Sequence, residues 1–167
     1  FSLLIVGGVV AARLLPHSAN FSPLASLVLL LPWIFPKQKF AIPLILVGLF
    51  ISDLWLGFHG TMPYVYGSYI LIGILGKKTK SRSFLLPVIS SLLFYSVTNF
   101  GVWVQTGMYS KDLQGLLRCY IMAIPFLKMT ILGDLFYYLI GVLILKSIDL
   151  RFQEDVRAMH VRISPTR

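Results

Sequence analysis

Residues Phe84 to Gln105 read FLLPVISSLLFYSVTNFGVWVQ, an apolar run that carries hydroxyls and amides but no charge. A helix crossing a hydrocarbon layer needs roughly 20 such residues, and this run supplies them. Apolar segments of the same kind extend from Phe1 to Leu15, Phe21 to Phe35, Phe40 to Phe58, Pro63 to Gly76 and Met129 to Ser147. One further stretch, Leu113 to Leu127, carries Arg118 in its middle and Pro125 near its end, which suits a helix lying at the interface or re-entering the bilayer. The expected fold is therefore all-α: a polytopic membrane protein with about six transmembrane helices plus one interfacial or re-entrant helix.

Composition points the same way. Of 167 residues, 57% are hydrophobic and 13% charged, against about 25% charged in an ordinary soluble domain. Too few charges remain to cover a water-facing surface. No Gly/Ser-rich or Pro-rich linker divides the chain, so residues 1–148 are expected to form one transmembrane domain and residues 149–167 a basic cytoplasmic tail. The opening run, Phe1 to Leu15, is shorter than a span, and a truncated first helix is expected; a cleaved signal peptide competes less well, because the run lacks a basic start. The single cysteine, Cys119, excludes an intrachain disulfide framework and a clustered thiolate site.

The basic residues divide by connection. Lys37, Lys39, Lys77, Lys78, Lys80, Arg82, Lys146, Arg151, Arg157, Arg162 and Arg167 make eleven of the fifteen; Arg13, Lys111, Arg118 and Lys128 are the other four. The positive-inside rule puts the richer set in the cytoplasm, with both termini, in the inner (plasma) membrane. The net charge of +9 then follows from topology and contact with anionic lipid, without nucleic acid.

Under that topology the chemically unusual residues collect at the non-cytoplasmic side. Asp53 ends one span and Asp134 stands in the first turns of another, both read as lying at the outer end. A carboxylate near hydrocarbon must be paired, protonated or placed against a polar cavity. Arg13, Arg118 and Lys128 are the available cations, so a structural ion pair stands level with a ligand contact. His17 and His59 fall on the same side, but their spacing matches no metal motif and no metal site or other cofactor is expected. Asn99 and Trp103, four apart, share a helix face, and Tyr64, Tyr66 and Tyr69 open the span after His59. Rings beside amide and carboxylate groups suit a small ligand in a mostly apolar pocket, although an interfacial aromatic belt accounts for some of them. On the first helix, Gly7 and Gly8 precede Ala11 and Ala12 by four residues, a pattern that lets another helix approach closely. An internal helix is the favoured partner there, a separate subunit the alternative.

The segments Arg13-Leu-Leu-Pro-His17, Asn20-Phe-Ser-Pro23, Ser52-Asp-Leu-Trp-Leu-Gly-Phe-His59, Thr98-Asn-Phe-Gly-Val-Trp103 and Leu132-Gly-Asp-Leu-Phe136 resemble a family of uncharacterised bacterial six-helix membrane proteins grouped with transport proteins. That family is similar in size and layout to the substrate-binding S components of energy-coupling factor (ECF) vitamin transporters. The resemblance implies a ligand pocket on the outer side and a first helix whose small residues meet a separate transmembrane coupling subunit. The S-component signature there is Ala-x-x-x-Ala, from which Gly7/Ala11 and Gly8/Ala12 depart.

The expected function is uptake of a vitamin-like or other micronutrient molecule, bound from the non-cytoplasmic side by Arg13, His17, Asn20, Asp53, His59, Tyr66, Asn99, Trp103 and Asp134. No Walker, Gly-x-Ser-x-Gly or His-Glu-x-x-His motif is present, so the chain is not read as an enzyme, and ATP coupling requires an external module. Two rivals remain: a membrane enzyme with Asp53, His59 and Asp134 as acid/base groups, and a scaffold whose polar cluster only locks helices. The first needs its acid and base at one point; the second needs paired charges and no cavity.

Overall fold

The computed structural model describes residues 2–15, 20–35, 40–79 and 83–163, with side chains to residue 149. These residues are all-helical, in six helices: α1 (Ser2–Leu14), α2 (Leu24–Ile34), α3 (Ala41–Leu56), α4 (Met62–Lys78), α5 (Leu85–Gln105) and α6 (Leu113–Ile163). Pro43, Pro63 and Pro87 lie in the first turns of α3, α4 and α5, where a missing N–H has no helical partner to lose. Gly57 ends α3 with φ 91°, its N–H donating to the Asp53 carbonyl at 2.9 Å. At the end of α5 the Lys111 ammonium donates to the carbonyls of Trp103, of Val104 at 3.0 Å and of Thr106 at 2.8 Å. Asp112 then starts α6, its carboxylate accepting the Gly115 N–H at 2.7 Å and the Ser110 hydroxyl at 2.9 Å. Those two bonds hold the Asp112 carboxyl below the usual carboxylate range.

One expectation is corrected here. The stretch from Leu113 to Leu127 is not a separate interfacial or re-entrant helix; α6 runs through it, past Pro125, and on to Ile163 without a break. A proline inside a helix removes one N–H bond and crowds the carbonyl four residues earlier, here that of Ile121; α6 carries that cost while packed along α5. Arg118 is exposed, so the helix need not bury its charge. The same helix continues across the boundary expected between residues 148 and 149.

Contacts between helices fix their directions. Val9 of α1 meets Gly48 of α3 and Arg13 meets Asp53, so α1 and α3 are parallel. Val28 and Leu29 of α2 meet Gly73 and Gly76 of α4, again in parallel. Ser26 and Leu30 meet Asp134 and Gly141, aligning α6 with α2. Tyr64 against Gly101 and Tyr69 against Phe94 set α5 antiparallel to α4. Helix direction therefore alternates along the chain. The C-terminal ends of α2 and α4, the N-terminal ends of α3 and α5 and the C-terminal half of α6 share one end of the bundle, and most of the basic residues lie in sequence between or beyond these ends; the remaining helix ends share the opposite end.

The core is centred on α2, which packs against α3, α4, α5 and α6. Val28, Leu29 and Leu31 are buried with Ile45, Leu49 and Ile72 of the neighbouring helices. Backbones come close where glycine allows it: a Cβ at Gly76 would stand 2.6 Å from the Leu29 carbonyl oxygen. Two helices, Leu85–Gln105 and Leu113–Asp149, are long and apolar enough to cross a membrane, and α1, α2 and α3 are shorter apolar helices. Only 28% and 22% of the most apolar windows in those two long helices are buried, so most of their apolar side chains cover the outside of the bundle and not a core.

Candidate functional site

Two buried carboxylates organise the polar interior, and they are held differently. Asp53 lies one turn from the end of α3 and is 1% exposed. Arg13, in the last turn of α1, places Nη2 2.6 Å from its Oδ1. The Tyr66 hydroxyl of α4 donates to its Oδ2 at 2.6 Å, and Arg13 Nη1 also donates to the Leu49 carbonyl at 3.3 Å. Both carboxylate oxygens are engaged, and three helices are tied together at the end opposite the basic connections. The ion pair joins α1 to α3.

Asp134 is 2% exposed and has no cation beside it among the described residues. The Ser91 hydroxyl of α5 donates to its Oδ2 at 2.5 Å, and the Ser26 hydroxyl of α2 donates to its main-chain carbonyl at 2.7 Å. Arg118 and Lys128, the other candidate partners, are both exposed. Its depth corrects the sequence reading. Because α6 starts at Leu113, Asp134 lies 21 residues into the helix, about 31 Å at 1.5 Å per residue, and not in the first turns of a span. It sits near the middle of the apolar Leu113–Asp149 segment, far from the N-terminal end of α6.

Two cavities lie along the α5–α6 seam. The larger, about 370 Å³, is at the end opposite the basic connections, between Asn99 and Val102 of α5, Tyr109 of the connection, and Cys119, Met122 and Phe126 of α6. The smaller, about 60 Å³, lies deeper, where Tyr69, Phe94 and Thr130 surround Asp134. Asn20 lines both. It adopts a left-handed backbone, φ 63°, which asparagine tolerates better than most residues, and the next residue, Phe21, packs its backbone against Gly133, one residue before Asp134. Asn20 thus walls both compartments, and Phe21 and Ser22 reach α6 beside Asp134.

The remaining candidates are dispersed. Asn99 donates its amide to the Tyr95 carbonyl at 2.8 Å, which turns its side-chain oxygen to other partners. Trp103 does not line the large cavity; its indole N–H donates to the Ser110 carbonyl at 2.9 Å and Lys111 lies over its ring. His59 is exposed and bonded within its own loop to Thr61 at 2.8 Å. His17 lies outside the described residues. Of the tyrosines, Tyr66 holds Asp53, Tyr64 packs on Gly101, and Tyr69 lines the small cavity. No group of three metal-ligating side chains occurs among the described residues.

Among the described residues, α1 packs on α3, but not through its Gly7/Gly8/Ala11 face. Gly7, Gly8 and Ala11 are exposed, and a Cβ at either glycine would meet nothing within 4 Å. The close approach of α1 to α3 is made instead by Gly48, where a Cβ would stand 2.7 Å from that of Val9. Ala12 alone of the four packs towards the core.

Ser91, Ser26, Thr130, Tyr109, Cys119 and Met122 belong to the site but were not singled out from sequence. Serines in apolar helices commonly bond back to a carbonyl three or four residues earlier, and Ser91 Oγ stands 2.9 Å from the Pro87 carbonyl in that way. Its one hydroxyl proton is shared between that carbonyl and the shorter contact to Asp134, which is what distinguishes it.

Fold and site together define an all-helical bundle with largely apolar outer surfaces, a mostly apolar cavity and, deeper, a small cavity at a buried carboxylate. Residues 1–154 match the model of a family of unknown function, DUF6580, and the chain belongs to that family. The match does not itself link the chain to the S components. No curated protein and no solved structure matches it.

Proposed function

We propose that the chain is a polytopic component of the plasma membrane, with both termini in the cytoplasm, that binds a small organic molecule from the non-cytoplasmic side for uptake. The observation that carries this reading is the 370 Å³ cavity at the end of the bundle opposite the basic connections. Its volume falls within the roughly 300–1,000 Å³ of small-molecule sites, and its lining is mostly apolar with a few polar groups. Alternating helix directions, exposed apolar surfaces and the eleven-to-four split of basic residues support the membrane placement. Coupling to ATP would come from a separate membrane subunit with its ATPases, and the open Gly7/Gly8/Ala11 face of α1 is where such a subunit would pack.

The enzyme reading is less well supported. Asp53 is engaged by Arg13 and Tyr66, His59 by Thr61, and Asp134 lies deep at Ser91. These groups do not converge on one reacting point. The scaffold reading accounts for Asp53 but leaves the cavity without a purpose.

Native mass spectrometry of the purified full chain tests the uptake reading. A small molecule is expected to co-purify and to be lost from Ala123→Phe, which fills the cavity wall from α6. A protein that is ligand-free in both forms, with the same unfolding midpoint in the two, would count against it.

A further inference from the structure

We infer that the cavity selects a molecule with an aromatic or apolar body and a primary ammonium head, and that Asp134 is the counter-ion for that head; the inference rests on the small-molecule reading above. The charge balance of the two compartments is its basis. Asp134 is buried, one of its oxygens accepts from Ser91, and no hydrogen bond or ion pair reaches the other among the described residues. Among the described residues, no Lys, Arg or His lines either compartment. Arg13 is the nearest parallel, and it is committed to Asp53. An anionic ligand would meet the Asp134 carboxyl in a medium of low dielectric, and a neutral one would leave that carboxyl either protonated or without a counter-charge. A cation supplies the missing charge and donors.

Size and shape narrow the head group. A space of 60 Å³ corresponds to about two water molecules, enough for a primary ammonium with its first methylene and little more. Tyr69 and Phe94, with ring centroids 5.3 Å apart, line the same space and present π-faces that attract cations. On α6, Phe126, Thr130 and Asp134 follow at four-residue intervals on one face, so the large cavity leads to the small one over about 12 Å. A body held between Phe126, Met122 and Asn99 can therefore extend an alkylamine arm towards Asp134.

The test uses the purified full chain in detergent and three matched probes: 4-phenylbutylamine, 4-phenylbutanol and 4-phenylbutyrate. Affinity is read from the shift in unfolding midpoint with probe concentration. The amine is expected to bind about tenfold tighter than the alcohol, the gain of one charge-assisted hydrogen bond, and the butyrate more weakly than either. Asp134→Asn should remove the preference for the amine while keeping alcohol binding. Thr130→Lys, which supplies an internal ammonium one turn from Asp134, should do the same without removing the carboxylate. Equal binding of amine and alcohol to the unaltered protein overturns the inference and leaves the cavity reading standing. A preference that survives both substitutions also overturns it. Binding of none of the probes at millimolar concentration overturns it too, and co-purification in the Ala123→Phe comparison then decides the broader reading separately.

Discussion

Replacing Arg13 with methionine removes the one cation that meets a buried carboxylate in this bundle. Breaking a buried pair by deleting one partner costs about 3–5 kcal/mol, because the surviving charge is left uncompensated. Two features reduce the figure here. The Arg13 side chain is 16% exposed, so water reaches the pair from one side, and Tyr66 still donates to Oδ2 of Asp53. A loss of about 2–3 kcal/mol is expected, which lowers the unfolding midpoint by about 4–12 °C in a domain of this size. The double substitution Arg13→Met with Asp53→Asn removes both charges but keeps an acceptor for Tyr66, and it should recover most of that loss. Thermal unfolding of the four proteins of the cycle, in one detergent at one salt concentration, gives the coupling directly. A double variant no more stable than Arg13→Met alone would refute the assignment of Asp53 as a structural partner of Arg13.

Gly76→Ala should destabilise by about 1–3 kcal/mol, since its Cβ would meet the Leu29 backbone at 2.6 Å, whereas Gly7→Ala, facing open space, should be neutral or slightly stabilising in the same unfolding assay. The Asp112 carboxyl is held below its ordinary range, so its support for the start of α6 is complete above the unfolded-state value near 4 and is lost as pH falls through the lower folded value. Hydrogen exchange at Gly115 should accordingly report fraying only at pH below that range, and Asp112→Asn should remove the dependence. In a Cys119→Ser background, a cysteine at Tyr109 should react with a membrane-impermeant maleimide in intact cells and one at Lys78 should not; the reverse pattern refutes the proposed orientation.

Much of the bundle is legible in the sequence because its helices are written as chargeless runs bounded by Pro, Gly and Lys, signals that depend only on local chemistry. The reading of Pro125 and Arg118 as a break failed for a non-local reason. The penalty for a proline, a lost bond and a crowded carbonyl, can be offset by packing made elsewhere in the bundle, and whether Arg118 must avoid the helix depends on which face it occupies in the assembled bundle. That error carried over to Asp134, whose depth is counted from where its helix begins. The similar segments Ile51-Ser-Asp-Leu-Trp-Leu56 and Leu132-Gly-Asp-Leu-Phe-Tyr137 illustrate the same limit. Asp53 stands one turn from a helix end against Arg13, and Asp134 stands at mid-helix against Ser91, with nothing in either hexamer to separate them.

The contrast between the two aspartates yields a prediction of opposite sign. Asp53 carries its own counter-ion, so deleting that counter-ion lowers stability. The Asp134 carboxylate has one hydroxyl bond, from Ser91, and no cation beside it among the described residues, and a carboxylate near the middle of an apolar helix is disfavoured by several kcal/mol relative to water. An amide of the same shape would still accept from Ser91 without the charge. If the residue served packing alone, nothing would be gained by its ionisable form. Asp134→Asn is therefore expected to stabilise the ligand-free protein, by on the order of 1 kcal/mol or about 2–4 °C in unfolding midpoint, while abolishing discrimination between amine and alcohol probes. Ser91→Ala should act in the other direction, since it takes away a donor and leaves the charge. Loss of stability in Asp134→Asn would mean that the carboxylate is already compensated within the protein, and the case for a ligand cation would fall with it.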